Sequence, residues 1–272
     1  MAAIDPMHQF LVHKIVDLPA VQTPLGALDM SITNSVVAMM SAALIICAFF
    51  VMSAKRQLVP GRMQSLGESL FGLIDTTLVE PIIGHNGRPY IPFIFTIFMM
   101  VLTMNLMGIV LAVGNLGGLE LTFTVTAQLA VTATLAVLTF VTVLIIGFWK
   151  NGIKFFTLFV PKGVPVFILP MIVIMEFISF IVRPLTLAMR LFGNMLGGHV
   201  VMNIFASFVV GLGLFGLTGG LATLGLLGSG VSLAMVVALT ALELIVAFLQ
   251  AFVFAALATV YLNEVVNLGH GH

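Results

Sequence analysis

The residues of this 272-residue chain best able to do chemistry lie where water is scarce. An apolar stretch from Met171 to about Val210 carries Glu176, Arg183, Thr186, Arg190, Asn194, His199 and Asn203. On a helix at 100° per residue, Glu176, Arg183, Thr186 and Asn194 all fall within about 40° of Arg190 and make one polar stripe. His199 and Asn203 lie about 180° and 140° round from Arg190 by the same geometry, on the opposite face. A second apolar stretch, Val231 to about Asn263, carries Glu243 and Gln250 seven residues apart and so on one face, with Thr240 one turn earlier.

Arg190 sits about 20 residues from either end of its stretch, roughly 30 Å along a helix, too far for its side chain to reach water by bending. A guanidinium stays charged in a protein, and at the centre of a membrane helix it costs about 2.5–3.5 kcal/mol on insertion scales. Such a charge is either satisfied by a neighbouring carboxylate or carbonyl, or it acts on something that moves past it. A helix polar on two sides in a membrane faces two polar surroundings, which are two aqueous cavities or a cavity and a partner. If the two stretches form an antiparallel hairpin, Gln250 comes near Arg190 and Glu243 lies toward His199. A histidine and a carboxylate at membrane depth make a proton relay, the plainer alternative being a buried hydrogen-bonded pair.

The rest of the chain must hold these groups at depth. It is 61% hydrophobic and 7% charged, against roughly 25% charged in a soluble domain. Ten basic and ten acidic residues cancel, so no net field recruits nucleic acid. Cys47 is the single cysteine, which excludes an internal disulfide and a Cys-based metal cluster. No H-E-x-x-H, G-x-x-x-x-G-K-[ST] or G-x-S-x-G pattern supports a metalloprotease, nucleotide-binding or serine-hydrolase reading. The terminal His270 and His272 read as a solvated tail.

The expected fold class is an all-α integral membrane protein: residues 1–31 form an arm, and 32–272 a single membrane domain. A spanning helix needs about 20 apolar residues, and five segments qualify: about 32–54, 90–113, 124–149, 171–210 and 231–263. Residues 60–84 place Arg62, Glu68, Asp75 and Glu80 around an apolar face, the pattern of a helix lying in the membrane interface. Spans two and three, joined by a Gly-rich turn with Glu120, should form a hairpin, and Asn105 and Gln128 within them should make interhelical hydrogen bonds. Pro161, Pro165 and Pro170 break the chain before the fourth span. That span, as one helix, would run roughly 60 Å against a hydrocarbon core of about 30 Å, so it is either steeply inclined or broken near Gly193 to Gly198. A Gly-rich connector, 211–230, is expected between the last two spans. With the N-terminus outside, and Arg183 and Arg190 set aside as lying within a span, Lys55, Arg56, Arg62, Arg88, Lys150, Lys154 and Lys162 are cytoplasmic and only Lys14 is outside.

The run Arg183-Pro184-Leu185-Thr186-Leu187-Ala188-Met189-Arg190-Leu191-Phe192-Gly193-Asn194-Met195, and the later run from Leu249-Gln250-Ala251-Phe252-Val253-Phe254 through Tyr261-Leu262, resemble subunit a of bacterial F-type ATP synthases. The likeness extends over nearly the whole chain, the arm looking most similar to proteobacterial members. The resemblance implies a non-catalytic stator without cofactor or metal, in the bacterial inner membrane, N-terminus periplasmic and C-terminus cytoplasmic. Its implied partners are a ring of c subunits, b-type peripheral stalk subunits, the rest of the complex and membrane lipid. The family's essential arginine falls on Arg190, its polar partners on Asn194 and Gln250, and its channel carboxylate on Glu176. His199 and Glu243 fall where members carry an acidic residue and a histidine that exchange places. Protons would then enter past His199, Glu243 and Asn194, ride the ring, and leave past Glu176, with Arg183, Thr186 and Asn203 as accessory groups. A self-contained ion channel or secondary transporter is the alternative.

Overall fold

The computed structural model describes residues 14–16, 21–23, 26–28, 31–54, 60–113, 125–160, 167–218 and 222–268. Most of the N-terminal arm, Lys55 and Arg56, Glu120, Pro161, Lys162, Pro165, His270 and His272 lie outside them. The described elements are strands β1 (Lys14–Val16), β2 (Val21–Thr23), β3 (Gly26–Leu28) and β4 (Ile32–Thr33), then helices α1 (Asn34–Ser53), α2 (Arg62–Ile74), α3 (Glu80–Ile82), α4 (Ile91–Val113), α5 (Leu129–Asn151), α6 (Leu169–Thr218) and α7 (Ala222–Val266). A π-helical stretch (Asp75–Val79) joins α2 to α3, and 3-10 turns cover Gly84–Tyr90, Val125–Ala127 and Gly152–Phe159.

Without water to serve their N–H and C=O groups, apolar runs must satisfy them internally, which selects helices. Five helical stretches are long and apolar enough to cross a membrane: Asn34–Ser53, Gly84–Val110, Leu129–Phe159, Leu169–Leu217 and Leu224–Val266. α2 differs, carrying a polar face on which Gln64 Nε2 donates to Glu68 Oε1 at 2.9 Å.

The fourth span is unbroken. α6 is a single 50-residue helix with Pro184 inside it, about 75 Å long, so it cannot stand upright in a core of about 30 Å. Nor is 211–230 a connector, as the sequence suggested. α6 continues to Thr218 and α7 starts at Ala222. The glycines there serve close packing, as small residues do between helices in lipid. A Cβ at Gly225 would lie 2.5 Å from Gly216 Cα and 3.0 Å from the Leu212 carbonyl oxygen. Backbone, not a flexible side chain, is what it would meet. Gly225→Leu is therefore expected to pry the hairpin apart and cut the amount of assembled protein in the membrane several-fold, read by blue-native gel. Gly230→Leu, at a position with open space around it, should assemble normally.

The chain divides into two compact units. One gathers residues 1–42, 104–128 and 192–249, and the other 43–103, 129–191 and 250–272. In the first, β1 pairs antiparallel with β4 and β2 with β3. Ser35 Oγ donates to Gln128 Oε1 at 2.6 Å, and Asn105 Nδ2 to the Ala247 carbonyl at 3.2 Å, so both amides bridge between elements as their depth suggested. The α6–α7 hairpin runs antiparallel here: Ser229 Oγ donates to the Val209 carbonyl at 2.9 Å, and Thr240 Oγ1 to Met202 Sδ at 3.5 Å.

In the second unit, the buried Phe155, Phe159 and Phe180 and the half-buried Phe140 form a ring cluster between α5, the turn after it and α6. A Cβ at Gly147 would lie 2.5 Å from Val265 Cγ1 and 2.8 Å from the Phe155 ring, so the α5 backbone at Gly147 sits directly against the Val265 side chain of α7. Three asparagines tie down the end of α7. Asn151 Nδ2 donates to the Val265 carbonyl at 2.7 Å, Asn267 Nδ2 to the Ile83 carbonyl at 3.1 Å, and Asn86 Nδ2 to Asn267 Oδ1 at 3.2 Å.

Candidate functional site

The site residues divide between the two units. In the second, α6 buries Leu187, Ala188 and Leu191 at 2% exposure or less, and turns Leu185, Thr186, Met189 and Arg190 outward. Arg190 is thus exposed on a face that the chain's own core does not use. Gln250 is buried. Thr186 is exposed, and its hydroxyl donates back to the Arg183 carbonyl at 2.9 Å, satisfied within its own helix.

Arg183 behaves unlike its neighbour in the stripe. Its side chain is 16% exposed and pairs across the hairpin with Glu264 through Nη1, while Nη2 reaches Glu176 Oε1 at 3.5 Å. The guanidinium carbon lies 5.6 Å from the Phe180 ring centroid and 5.1 Å from that of Tyr261, within the range of attraction between a cation and an aromatic face. Two carboxylates and two rings thus converge on one cation.

Glu264 and Tyr261 were not among the residues expected to act. The signal was there: Glu264 is fourteen residues after Gln250, which returns it to within about 40° of the same face. It lay one residue past the assigned end of the span at Asn263. Removing one member of a largely buried ion pair costs about 3–5 kcal/mol, and the partial exposure of Glu264 and Glu176, 32% and 41%, lowers that here. Arg183→Leu is expected to destabilise the protein by roughly 1–3 kcal/mol. In a double-mutant cycle read by thermal unfolding, Arg183→Leu combined with Glu264→Leu should recover part of the loss, and purely additive effects would disprove the pair.

In the first unit, His199 and Glu243 are both buried, at 2% and 7% exposure. Glu243 lies flat on the backbone of α6 at Gly198, where an added Cβ would come within 3.2 Å of Glu243 Cδ and would strike its Oε1. Neither carboxylate oxygen of Glu243 has a hydrogen-bond partner among the described residues, so Glu243 makes no direct bond to His199. Asn194 is exposed and Asn203 half-buried. No cluster of three or more His, Cys, Asp or Glu capable of holding a metal occurs among the described residues.

Residues 36–263 match the family model described as ATP synthase A chain. The chain is 44% identical over 268 residues to "ATP synthase subunit a" of Rhodopseudomonas palustris (strain HaA2), covering 98% of this chain and 100% of that one. It is 44% identical over 267 residues to the protein of the same name from Nitrobacter hamburgensis, with the same coverage. A Rhizobium johnstonii "ATP synthase subunit a" is 44% identical over 269 residues, covering 98% and 99%.

Proposed function

Because this chain belongs to the subunit a family, the non-catalytic proton-channel stator of the F-type ATP synthase, we propose that Arg190 is the charge dividing two aqueous half-channels at the surface facing a rotor ring. The observation that carries this reading is the exposure of Arg190 beside Met189, at the edge of the face that buries Leu187, Ala188 and Leu191. An unavoidable charge at mid-helix, turned away from the chain's own core, needs a partner from another subunit. Ring carboxylates of c subunits fit it. The fixed positive charge repels a proton attempting to cross directly and stabilises the ionised form of a carboxylate brought beside it.

Entry runs past Asn194, His199 and Glu243, and exit past Glu176, with Glu264 and Arg183 beside it. The attraction between Arg190 and the ring must stay modest. A dry, well-formed pair would hold the rotor, whereas a membrane potential supplies about 2.3 kcal/mol per charge per 100 mV. The Lys and Arg asymmetry supports an N-terminus on the periplasmic side and a C-terminus in the cytoplasm. Beyond the ring, b-type stalk subunits and lipid complete the surroundings. A self-contained channel or transporter gains nothing from a family of complex subunits.

Cysteine crosslinking tests the orientation of the exposed face. Met189→Cys, paired with a cysteine near the ring carboxylate, should crosslink to the c subunit in the assembled complex, and Leu191→Cys should not. Crosslinking from Leu191→Cys alone would turn the helix round and remove the proposed role.

A further inference from the structure

One recess in the second unit takes no part in proton transfer. It lies where α5 ends, is lined by Tyr90, Ile145, Ile146, Trp149 and Lys150, and has a volume of about 430 Å³. That falls within the roughly 300–1,000 Å³ usual for small-ligand sites. We infer that this recess binds an anionic phospholipid of the surrounding bilayer, with the phosphate on Lys150 and an acyl chain along Ile145 and Ile146.

The order of the lining groups along α5 follows the depth profile of a phospholipid. Ile145, 56% exposed, and Ile146 come first, then Trp149 at 89%, then the Lys150 ammonium. α5 has 23 residues, about 35 Å, so its last turn reaches headgroup level when its apolar body fills the core. Trp and Tyr prefer that level, having an apolar ring and a polar edge. Tyr90 supplies the second ring from the 3-10 turn that leads into α4, giving the recess walls from two elements.

The wall is firm. Gly147 packs against Val265 and Phe155 behind it, and Asn151 is held to the Val265 carbonyl, so Lys150 projects from an anchored turn. Among the described residues Lys150 has no carboxylate partner, unlike Arg183. Lys154 follows four residues later and is also exposed. Unneutralised lysines at the end of a span attract anionic headgroups. A zwitterionic headgroup brings its own ammonium into the same space, which disfavours it. An apolar partner helix would cover Ile145 and Trp149 but leave the cation unanswered.

The test uses the assembled complex in nanodiscs containing a photoactivatable phosphatidylglycerol or, separately, the matching phosphatidylcholine, with labelled peptides mapped by mass spectrometry. The phosphatidylglycerol probe should label residues 145–153 several-fold more than the phosphatidylcholine probe. Unlabelled phosphatidylglycerol should compete and phosphatidylcholine should not. Lys150→Gln should bring labelling down to the phosphatidylcholine level and Lys150→Arg should retain it, while labelling of the exposed α1 face at Leu44 and Val51 stays constant. Equal labelling by both probes, or no effect of Lys150→Gln, overturns the proposal. So does an unlabelled 145–153 segment beside a labelled α1, because a protein neighbour then covers the recess. If Lys150→Gln does not assemble, the lipid competition on the unaltered complex decides.

Discussion

Arg190→Ala is expected to abolish ATP-driven proton pumping by the complex, a loss of more than about 100-fold, while passive proton leak stays intact or rises. The residue bears a permanent charge near the middle of a helix about 75 Å long, and such a position costs several kcal/mol with no benefit to folding that its exposed side chain reveals. Replacing it should spare the hairpin, because the core contacts of α6 at this level come from Leu187, Ala188 and Leu191. Assembly should therefore survive, which separates this variant from Gly225→Leu or Arg183→Leu. What is lost is the barrier. Without it a proton can pass between the half-channels without turning the rotor, so hydrolysis no longer drives transport and leak need not fall. Arg190→Lys should rescue little, since a compact ammonium lacks the planar fork that the guanidinium offers a carboxylate. Dye-quench pumping assays on inverted vesicles, with passive conductance measured on the same vesicles, read both quantities. Normal pumping in Arg190→Ala would remove this residue from the mechanism.

The stripe containing Arg190 was legible because helical periodicity alone groups Glu176, Arg183, Thr186, Arg190 and Asn194. Where the stripe points was not legible. Arg183 and Arg190 differ by only about 20° in projection, yet one closes on Glu264 and Glu176 and the other is exposed, since the stripe straddles the edge of the packed face. The continuity of α6 was equally hidden. Pro184 and the glycines at 193, 197 and 198 are breakers in water, but in a membrane a break leaves backbone groups unserved, and Gly198 is used to seat Glu243. The glycines at 216 and 225 misled for the same reason, marking close approach rather than a loop. Glu264 escaped because apolarity ended the last span at Asn263, whereas the helix runs on to Val266 and is held there by side-chain amides. Hydropathy finds the spans, but the polar contacts at their ends belong to tertiary structure.

Exchanging His199 and Glu243 gives the second large effect. His199→Glu alone should lower proton flux through the membrane sector by about tenfold or more, because it sets two carboxyl groups near each other at depth, where both cannot ionise together. Glu243→His alone should do comparable damage by placing two imidazoles there and removing the acid. The double variant restores one acid and one imidazole to the same two helices, and should carry more flux than either single. The space permits it: both positions are buried, they sit on facing turns of the α6–α7 hairpin, and Gly198 offers side-chain 243 a surface free of Cβ. The absence of a direct bond between the two groups fits a relay better than a structural pair, since a proton that is already locked in a strong hydrogen bond is harder to pass on. A purely structural pair would also fail in both singles, but through lost assembly. Flux must therefore be normalised to the amount of complex in each membrane. Equal loss in all three variants at equal assembly would argue against the relay, and recovery confined to assembly would make the pair structural.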